Sequence, residues 1–444
     1  MITGNLKTRV TQAIGSNVIA QLVNVIIQIG GVPILIKAWG IERYGEWLLI
    51  FSIPAYLGLG DLGIGTVAAT EITKSLAKGA EKEATKIFNI GMATSFFSAA
   101  TLLLLSSIAI ISLPVSKYLS NSIPDHEVKI TLELLTIYIT ISILLSLPLS
   151  IYRSIGKYSR GQIASSIFRL IEFFTFIILV QNNQTFIYPA AGYLIIRIIY
   201  ITWISFDLSK QAAWMKLSLN EVNIKSIMKL LPKSISMMFV YLGQTLVSQG
   251  LITVIGITLG SVALATFSTV RTLCNFAKQL IGIINLSVFS EFSICISRGD
   301  FPTAQKLHTR SVQANIGLTV LATLFLFLVG DTLITFWTKG AISIIQPFFS
   351  LYLVYILINS IWIGSWNMLL GCNEHSSLIK QYIGLNILTI TLTYFNLNHW
   401  GLSNLPVTLI LTDVLFGSLV MMKSLSFLRQ SYMEFINNIF NIKY

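Results

Sequence analysis

The chain has 444 residues, 54% of them hydrophobic and only 11% charged. Soluble domains carry about 25% charged residues, so the composition excludes a soluble enzyme, a disordered chain and a secreted disulfide scaffold, and the mean hydropathy of +0.76 agrees. The formal net charge is +12, from 30 Lys and Arg against 18 Asp and Glu, and in a protein dissolved mainly in lipid the question is where those cations sit.

Lys7 and Arg9 precede an apolar stretch from Val10 to Ile36. It is too long for a signal-peptide core and has no small-x-small cleavage pattern, so it reads as a retained first membrane span. A span needs about 20 apolar residues. Twelve segments qualify, at 13–36, 46–70, 88–113, 130–151, 163–181, 189–205, 235–258, 262–296, 311–330, 347–370, 380–397 and 404–425. The predicted fold is an all-α polytopic membrane protein, with an N-terminal six-helix bundle over 1–205, a linker over 206–234, a C-terminal six-helix bundle over 235–425 and a tail over 426–444. Of the Lys and Arg, 21 fall on the N-terminal tail, every second loop, the linker and the C-terminal tail; 5 fall on the intervening loops and 4 within spans. By the positive-inside rule both termini are cytoplasmic.

The linker, FDLSKQAAWMKLSLNEVNIKSIMKLLPK, interleaves Lys with Trp, Leu, Ile and Met. It reads equally as a basic amphipathic segment on the anionic inner leaflet and as a solvated connector. A shift of 220 residues places Gly30 on Gly250, Gly40 on Gly260 and Trp47 on Phe267, too few matches to establish a repeat. Cys274, Cys295, Cys372 and the four His have no disulfide or metal spacing, so neither a metal nor a cofactor is expected.

An ionisable side chain at a span centre costs at least about 2.5–3.5 kcal/mol, so each one is a candidate site. The cations are Arg169, Arg197, Arg271 and Lys278; the acids are Asp61, Glu172, Glu291 and Asp413, with Glu133 near a span end. Arg271 and Lys278, seven residues apart, share one helix face roughly 10 Å apart along the axis. They form an anion-binding wall, or each meets an acid on another helix, or Lys278 snorkels to the interface. Arg197 is read the same way. Arg169 and Glu172 have the spacing of a same-helix ion pair. Asp413 either accepts a coupling proton or sodium ion or answers a cation elsewhere, and Glu291 is expected at the interface. The second span packs Pro54, Gly58, Gly60, Asp61, Gly63 and Gly65 into one helix. It reads as a bend facing a cavity, against the alternative of close packing through small residues.

The chain has no G-x-x-x-x-G-K-[ST] phosphate loop, hence no ATPase of its own. Asp125-His126-Glu127 lies in a short outside loop and reads as a solvated turn. A membrane-embedded polymerase or ligase is expected to carry a long outside loop with Arg or acid clusters, and the short loops here disfavour it. No enzyme activity and no nucleic-acid partner are expected.

AWGIERYGEW at 38–47 and IPAYLGLGDLGIGTVAATE at 53–71, with Gln21, Gln28 and Pro33 before them, carry the strings W-G-x-E-x-Y-G-x-W and D-L-G-x-G. In these first 70 or so residues the chain resembles bacterial lipopolysaccharide O-antigen flippases, the polysaccharide-transporter branch of the multidrug/oligosaccharidyl-lipid/polysaccharide exporter superfamily. The resemblance implies two six-helix bundles around a central cationic cavity in the bacterial inner membrane. It also implies transfer of an undecaprenyl-pyrophosphate-linked oligosaccharide between leaflets by alternating access, with other membrane proteins of polysaccharide assembly as partners. On that footing Arg271, Lys278 and Arg197 hold the pyrophosphate, and Asn24, Gln28, Gln244 and Gln249 contact sugar. Asp61, Asp413, Arg169 and Glu172 are the candidates for cavity lining or ion coupling. The rival is a cation-coupled multidrug exporter of the same superfamily, whose cavity is expected to be acidic rather than basic.

Overall fold

The computed structural model describes residues 6–440 except 62, 120–121, 217, 219–223 and 373. Side chains are described outside 6–11, 77, 224–237, 280–281, 283–284, 286–291, 293–294, 297 and 440. Lys7, Arg9, Lys225, Lys229, Lys233, Glu291 and Lys443 therefore lie outside the described side chains.

Every regular element among the described residues is helical. The first compact unit, Met1–Thr245, holds α1 (Leu6–Ala55), a 3-10 turn at Tyr56–Asp61, α2 (Ile64–Ala77), α3 (Glu81–Ser112), the single turn α4 (Ser116–Leu119), α5 (Asp125–Ser154), α6 (Tyr158–Asn182) and α7 (Ile187–Gln211). Then comes α8 (Ile224–Ser297), which runs into the second unit, Leu246–Tyr444. That unit continues with α9 (Phe301–Trp337), α10 (Phe348–Gly371), α11 (Ile379–Trp400), α12 (Leu405–Phe427) and α13 (Tyr432–Phe440). In the first unit α5 packs on α2, α3 and α7, and α1 on α6; in the second α10 packs on α9 and α12, and α11 on α12.

Among the described residues, nine helical stretches are long and apolar enough to cross a membrane. Two of them, Gln12–Leu76 and Met238–Gln279, each run through a pair of the predicted spans, and α11 covers the span predicted at 380–397. The pairs join because α1 and α8 each carry one non-helical residue between the two spans. Gly40 has φ 79° and ψ 169°, and Gly260 φ 82° and ψ 176°, with helix on both sides. A side chain clashes in this backbone region, so only glycine makes such a joint without strain. Outward-facing apolar residues such as Ile111 (74% exposed), Leu328 (71%) and Phe336 (84%) suit lipid rather than water.

The structure supplies the repeat that three sequence matches leave open. α3 and α9 begin at Glu81 and Phe301, α5 and α10 at Asp125 and Phe348, α6 and α11 at Tyr158 and Ile379, and α7 and α12 at Ile187 and Leu405. Each pair is offset by roughly 220 residues, the same shift that carries Gly40 onto Gly260.

The described first part of the linker packs partly on protein. α7 runs on to Gln211, and Trp214 and Met215 pack against a core of Ala68, Ile72, Phe88 and Tyr152. Thr85 Oγ1 donates to the Trp214 carbonyl at 2.8 Å, and the Ser218 N–H to Asn89 Oδ1 at 3.2 Å. Burying Trp and Met against protein gives the segment a fixed seat that its Lys-rich composition does not advertise. Within the predicted tail, α13 packs on α9.

Candidate functional site

The string at Trp39–Trp47 builds a wall rather than a binding surface. The Trp39 and Trp47 rings lie 5.7 Å apart and gather Phe51, Phe176, Phe186 and Tyr193, with Trp39 only 4.6 Å from Phe186. Arg43, counted from the sequence as a loop cation, lies over the Phe186 ring at 5.1 Å and 3.8 Å from Glu127. Glu127 is 6% exposed and accepts the Phe186 N–H at 2.7 Å, so it is not part of a solvated turn. Its neighbour Asp125 is exposed and pairs with Lys129 at 3.0 Å. Glu46 is buried and accepts both the Ser122 N–H and hydroxyl, at 3.2 and 2.6 Å. These carboxylates tie the helix ends of the first unit together.

The glycine-rich second span does bend, through the 3-10 turn and Gly63 in the left-handed region. The bend is packed, however. A Cβ on Gly65 meets Ser146 Oγ and the Ser146–Leu147 backbone, and one on Gly60 meets Leu102 and Ile143. Small residues here let backbones approach, which is the alternative to the cavity-facing reading. Asp61 sits inside this contact, with Ser146 and Gly65 beside it; Gly58 faces open space.

Arg197 is committed to protein. Its Nε and Nη2 reach Glu172 Oε1 and Oε2 at 2.8 and 2.9 Å, and Nη2 donates to Tyr138 Oη at 2.5 Å. Its guanidinium lies 4.5 Å from the Tyr138 ring centroid. This is a two-pronged charge pair with both side chains largely buried. The predicted Arg169–Glu172 pair is therefore replaced. Glu172 faces α7, while Arg169 Nη1 donates to Asn24 Oδ1 at 2.5 Å on α1. Gln28 lies one turn further along α1, half-buried.

In the second unit the arrangement differs. Arg271 Nη1 donates to the Ser248 carbonyl at 3.0 Å, and its guanidinium lies 5.2 Å from the Phe267 ring centroid. Two turns on, Lys278 Nζ donates to Tyr355 Oη at 3.3 Å and lies 4.4 Å from the centroid of that ring. Both cations are half-buried, Arg271 beside a carbonyl and the Phe267 ring and Lys278 beside the Tyr355 phenol and ring. Asp413 on α12 accepts from Trp362 Nε1 at 2.9 Å and Asn359 Nδ2 at 3.1 Å, both on α10, and Lys278 acts on it electrostatically. Trp362, Trp366, Tyr382 and Phe416 form an aromatic wall alongside, with ring centroids 4.9 to 5.3 Å apart.

The structure thus brings together Arg197 with Glu172, Arg169 with Asn24, and Lys278 with Asp413. Gln244 is exposed and Gln249 half-buried on α8, Gln249 one residue from the carbonyl that Arg271 holds. Sequence reasoning missed Tyr355, Asn359 and Trp362. They recur at four- and three-residue steps on one face of α10, a helical polar stripe inside an apolar run that periodicity could have found.

Two helical halves of matching layout, each with helices long and apolar enough to cross a membrane, define a polytopic all-helical scaffold. Solved structures share it. The chain superposes on the inward-facing conformation of a multidrug resistance MATE family transporter of the MOP superfamily with a TM-score of 0.74 and 12% identity, over 93% of this chain and 98% of that one. It matches the outward-facing conformation of such a transporter with a TM-score of 0.65 and 13% identity, over 96% and 97%. A MOP superfamily transporter from Pyrococcus furiosus, whose binding pocket of reverse polarity suggests a different function, matches with a TM-score of 0.67 and 13% identity, over 97% and 98%. No family model and no curated protein matches the chain.

Proposed function

We propose that this protein translocates an undecaprenyl-pyrophosphate-linked oligosaccharide across the bacterial inner membrane, with both termini cytoplasmic. The observation that carries the proposal is the pair Arg271 and Lys278, two turns apart on α8 and each lying against an aromatic ring. A pyrophosphate cannot cross hydrocarbon unaided, and two partly desolvated cations on one face replace its hydration. The sugar and the polyprenyl tail come from the resemblance at Trp39–Trp47 and Asp61–Gly65. Arg197, already paired with Glu172, serves the scaffold in this reading. The phosphate contacts reduce to Arg271 and Lys278, with Gln249 beside them for sugar.

Transport then follows by alternating access, as a population shift between conformations that bind the head group from either side. Direction comes from an ion gradient or from consumption of the glycan on the far side. Asp413, held by Asn359 and Trp362, is the carboxylate placed to sense an ion next to Lys278.

The second reading, a multidrug exporter, draws on Asp413 and the aromatic wall of Trp362, Trp366, Tyr382 and Phe416, which suit an organic cation. One experiment separates the two. Arg271→Ala and Arg271→Lys should cut surface polysaccharide at unchanged protein level, with lipid-linked glycan accumulating in the membrane and dye extrusion unaffected. Normal polysaccharide export by both variants removes the anion role, and loss of dye extrusion in Asp413→Asn alone supports the exporter.

A further inference from the structure

Two polar stripes face each other in the first half, on α1 and α6. Asn17, Gln21, Asn24 and Gln28 recur at four-, three- and four-residue steps and so share one face of α1. Tyr158, Gln162 and Arg169 share one face of α6 in the same way. The faces meet at two points. Tyr158 Oη donates to Asn17 Oδ1 at 2.8 Å, and further along both helices Arg169 Nη1 donates to Asn24 Oδ1 at 2.5 Å. The result is a polar seam that follows α6 for about 16 Å.

The seam ends deep. Arg169 is exposed at the midpoint of α6, and Asn24 is half-buried at the midpoint of the span predicted at 13–36. The side of α6 that suits lipid is a different one, an exposed apolar stripe of Ile163, Ile167, Ile171, Phe174 and Ile178. Arg169 lies about 200° around the helix from Ile167 and from Ile171. An exposed arginine at that depth, turned from the lipid side, opens to water rather than hydrocarbon.

Arg169 keeps one edge for a ligand. Its Nη1 is engaged by Asn24, whereas its Nε–Nη2 edge has no hydrogen bond and no carboxylate in ion-pair range among the described residues. Glu172, one turn on, acts on it electrostatically but gives both oxygens to Arg197. The Nε–Nη2 edge is the one with which Arg197 grips that carboxylate, a planar fork matched to two oxygens. A single cation balances a single carboxylate, where a pyrophosphate calls for the pair on α8. The half-buried amides of Gln21 and Gln162 both donate and accept, which suits sugar hydroxyls.

We propose that the α1–α6 seam binds the glycan part of the substrate and that Arg169 grips the carboxylate of an acidic sugar in it, an assignment that rests on the oligosaccharide reading above. It adds a requirement to that reading: the transported glycan contains a uronic acid or another sugar bearing a carboxyl group. With both termini cytoplasmic, the seam runs from the cytoplasmic face at Tyr158 to mid-bilayer at Arg169, the path of a glycan on entry.

The test titrates purified full-length protein with the methyl glycosides of glucuronate and galacturonate, paired with those of glucose and galactose. Members of a pair differ only in carboxylate against hydroxymethyl. Geranyl pyrophosphate, which has no sugar, reports on the α8 cations, and binding is read by saturation-transfer NMR or calorimetry. At least one uronide should bind about tenfold or more tightly than its neutral partner, the worth of a charged hydrogen bond. Arg169→Gln should erase that preference at an unchanged melting temperature, and Arg169→Lys, which keeps the charge and loses the fork, should retain part of it. The double variant Gln21→Leu/Gln162→Leu should weaken acidic and neutral sugars alike, about three- to tenfold. Arg271→Ala should lower affinity for geranyl pyrophosphate and leave the uronide as it was. The proposal is overturned if neither uronide outbinds its neutral partner, or if the preference survives Arg169→Gln. Arg271-dependent binding of geranyl pyrophosphate beside such a failure leaves the pyrophosphate reading standing, so the two failures are told apart.

Discussion

The two halves of this protein use one helical plan and place their charges differently. In the first half each intramembrane or near-membrane cation with a described acid partner has been drawn into the scaffold: Arg197 with Glu172 and Tyr138, Arg43 with Glu127, and Arg160 with Asp207 at 2.6 Å. In the second half Arg271 and Lys278 rest on a carbonyl, a phenol and two rings. The shift that superposes Gly40 and Gly260 carries Arg271 onto Phe51 and Lys278 onto Gly58, so the repeated fold does not repeat the cations. Backbone layout and charge placement are thus separable. In the first half carboxylate pairs such as Glu172–Arg197 hold helices together; in the second Arg271 and Lys278 lie against aromatic rings, with Asp413 acting on Lys278.

That contrast breaks most visibly at Glu172. Glu172→Gln leaves Arg197 without its carboxylate, and breaking a buried pair from one side costs about 3–5 kcal/mol. A large fall in the melting temperature of the detergent-solubilised protein is expected, with recovery in the double variant Glu172→Met/Arg197→Met. A small effect of the single change would show that the first half does not depend on this pair. Arg271→Ala should do the reverse. Losing a charged hydrogen bond worth about 1.5–3 kcal/mol slows transport roughly ten- to hundredfold, while thermal stability stays within about 0.5 kcal/mol of the parent.

Gly40→Ala and Gly260→Ala test the shared plan. Each forces a side chain into backbone that only glycine tolerates, at a cost of about 1–3 kcal/mol, and melting curves should register both changes alike. Unequal effects would mean that the two joints carry different loads. The smallest expected effect is that of Tyr355→Phe, which keeps the ring beneath Lys278 but removes its oxygen. Transport should fall about three- to tenfold, the worth of one net hydrogen bond of about 0.5–1.5 kcal/mol.

Much of the fold was legible because hydrocarbon imposes a length on every apolar run, and the predicted spans fall on helix apart from their ends and the 3-10 turn and Gly63 in the second. Sequence separation hid the rest. Arg197 meets a carboxylate 25 positions away on another helix, whereas the residue three positions from Arg169 only looked like a partner. Glu127 sat in a short polar loop, where exposure is the ordinary expectation, and its burial depends on Phe186 far along the chain. Trp214 and Gln430 were read by composition as linker and tail, and composition cannot tell a seated segment from a free one. Of the candidate site, the two cations were visible as charges in an apolar run. The α10 residues that flank them were hidden by a span whose hydropathy their few polar atoms barely lower.

The joints at Gly40 and Gly260 have one more consequence, for descent. If the halves arose from a doubled segment, drift erases their likeness wherever many residues serve equally well, as on a lipid-facing surface where Leu, Ile, Val and Phe interchange freely. It cannot erase a position where the backbone admits one residue alone. A pair of glycines in the same rare conformation is then what remains of an ancestry that the surrounding letters have lost.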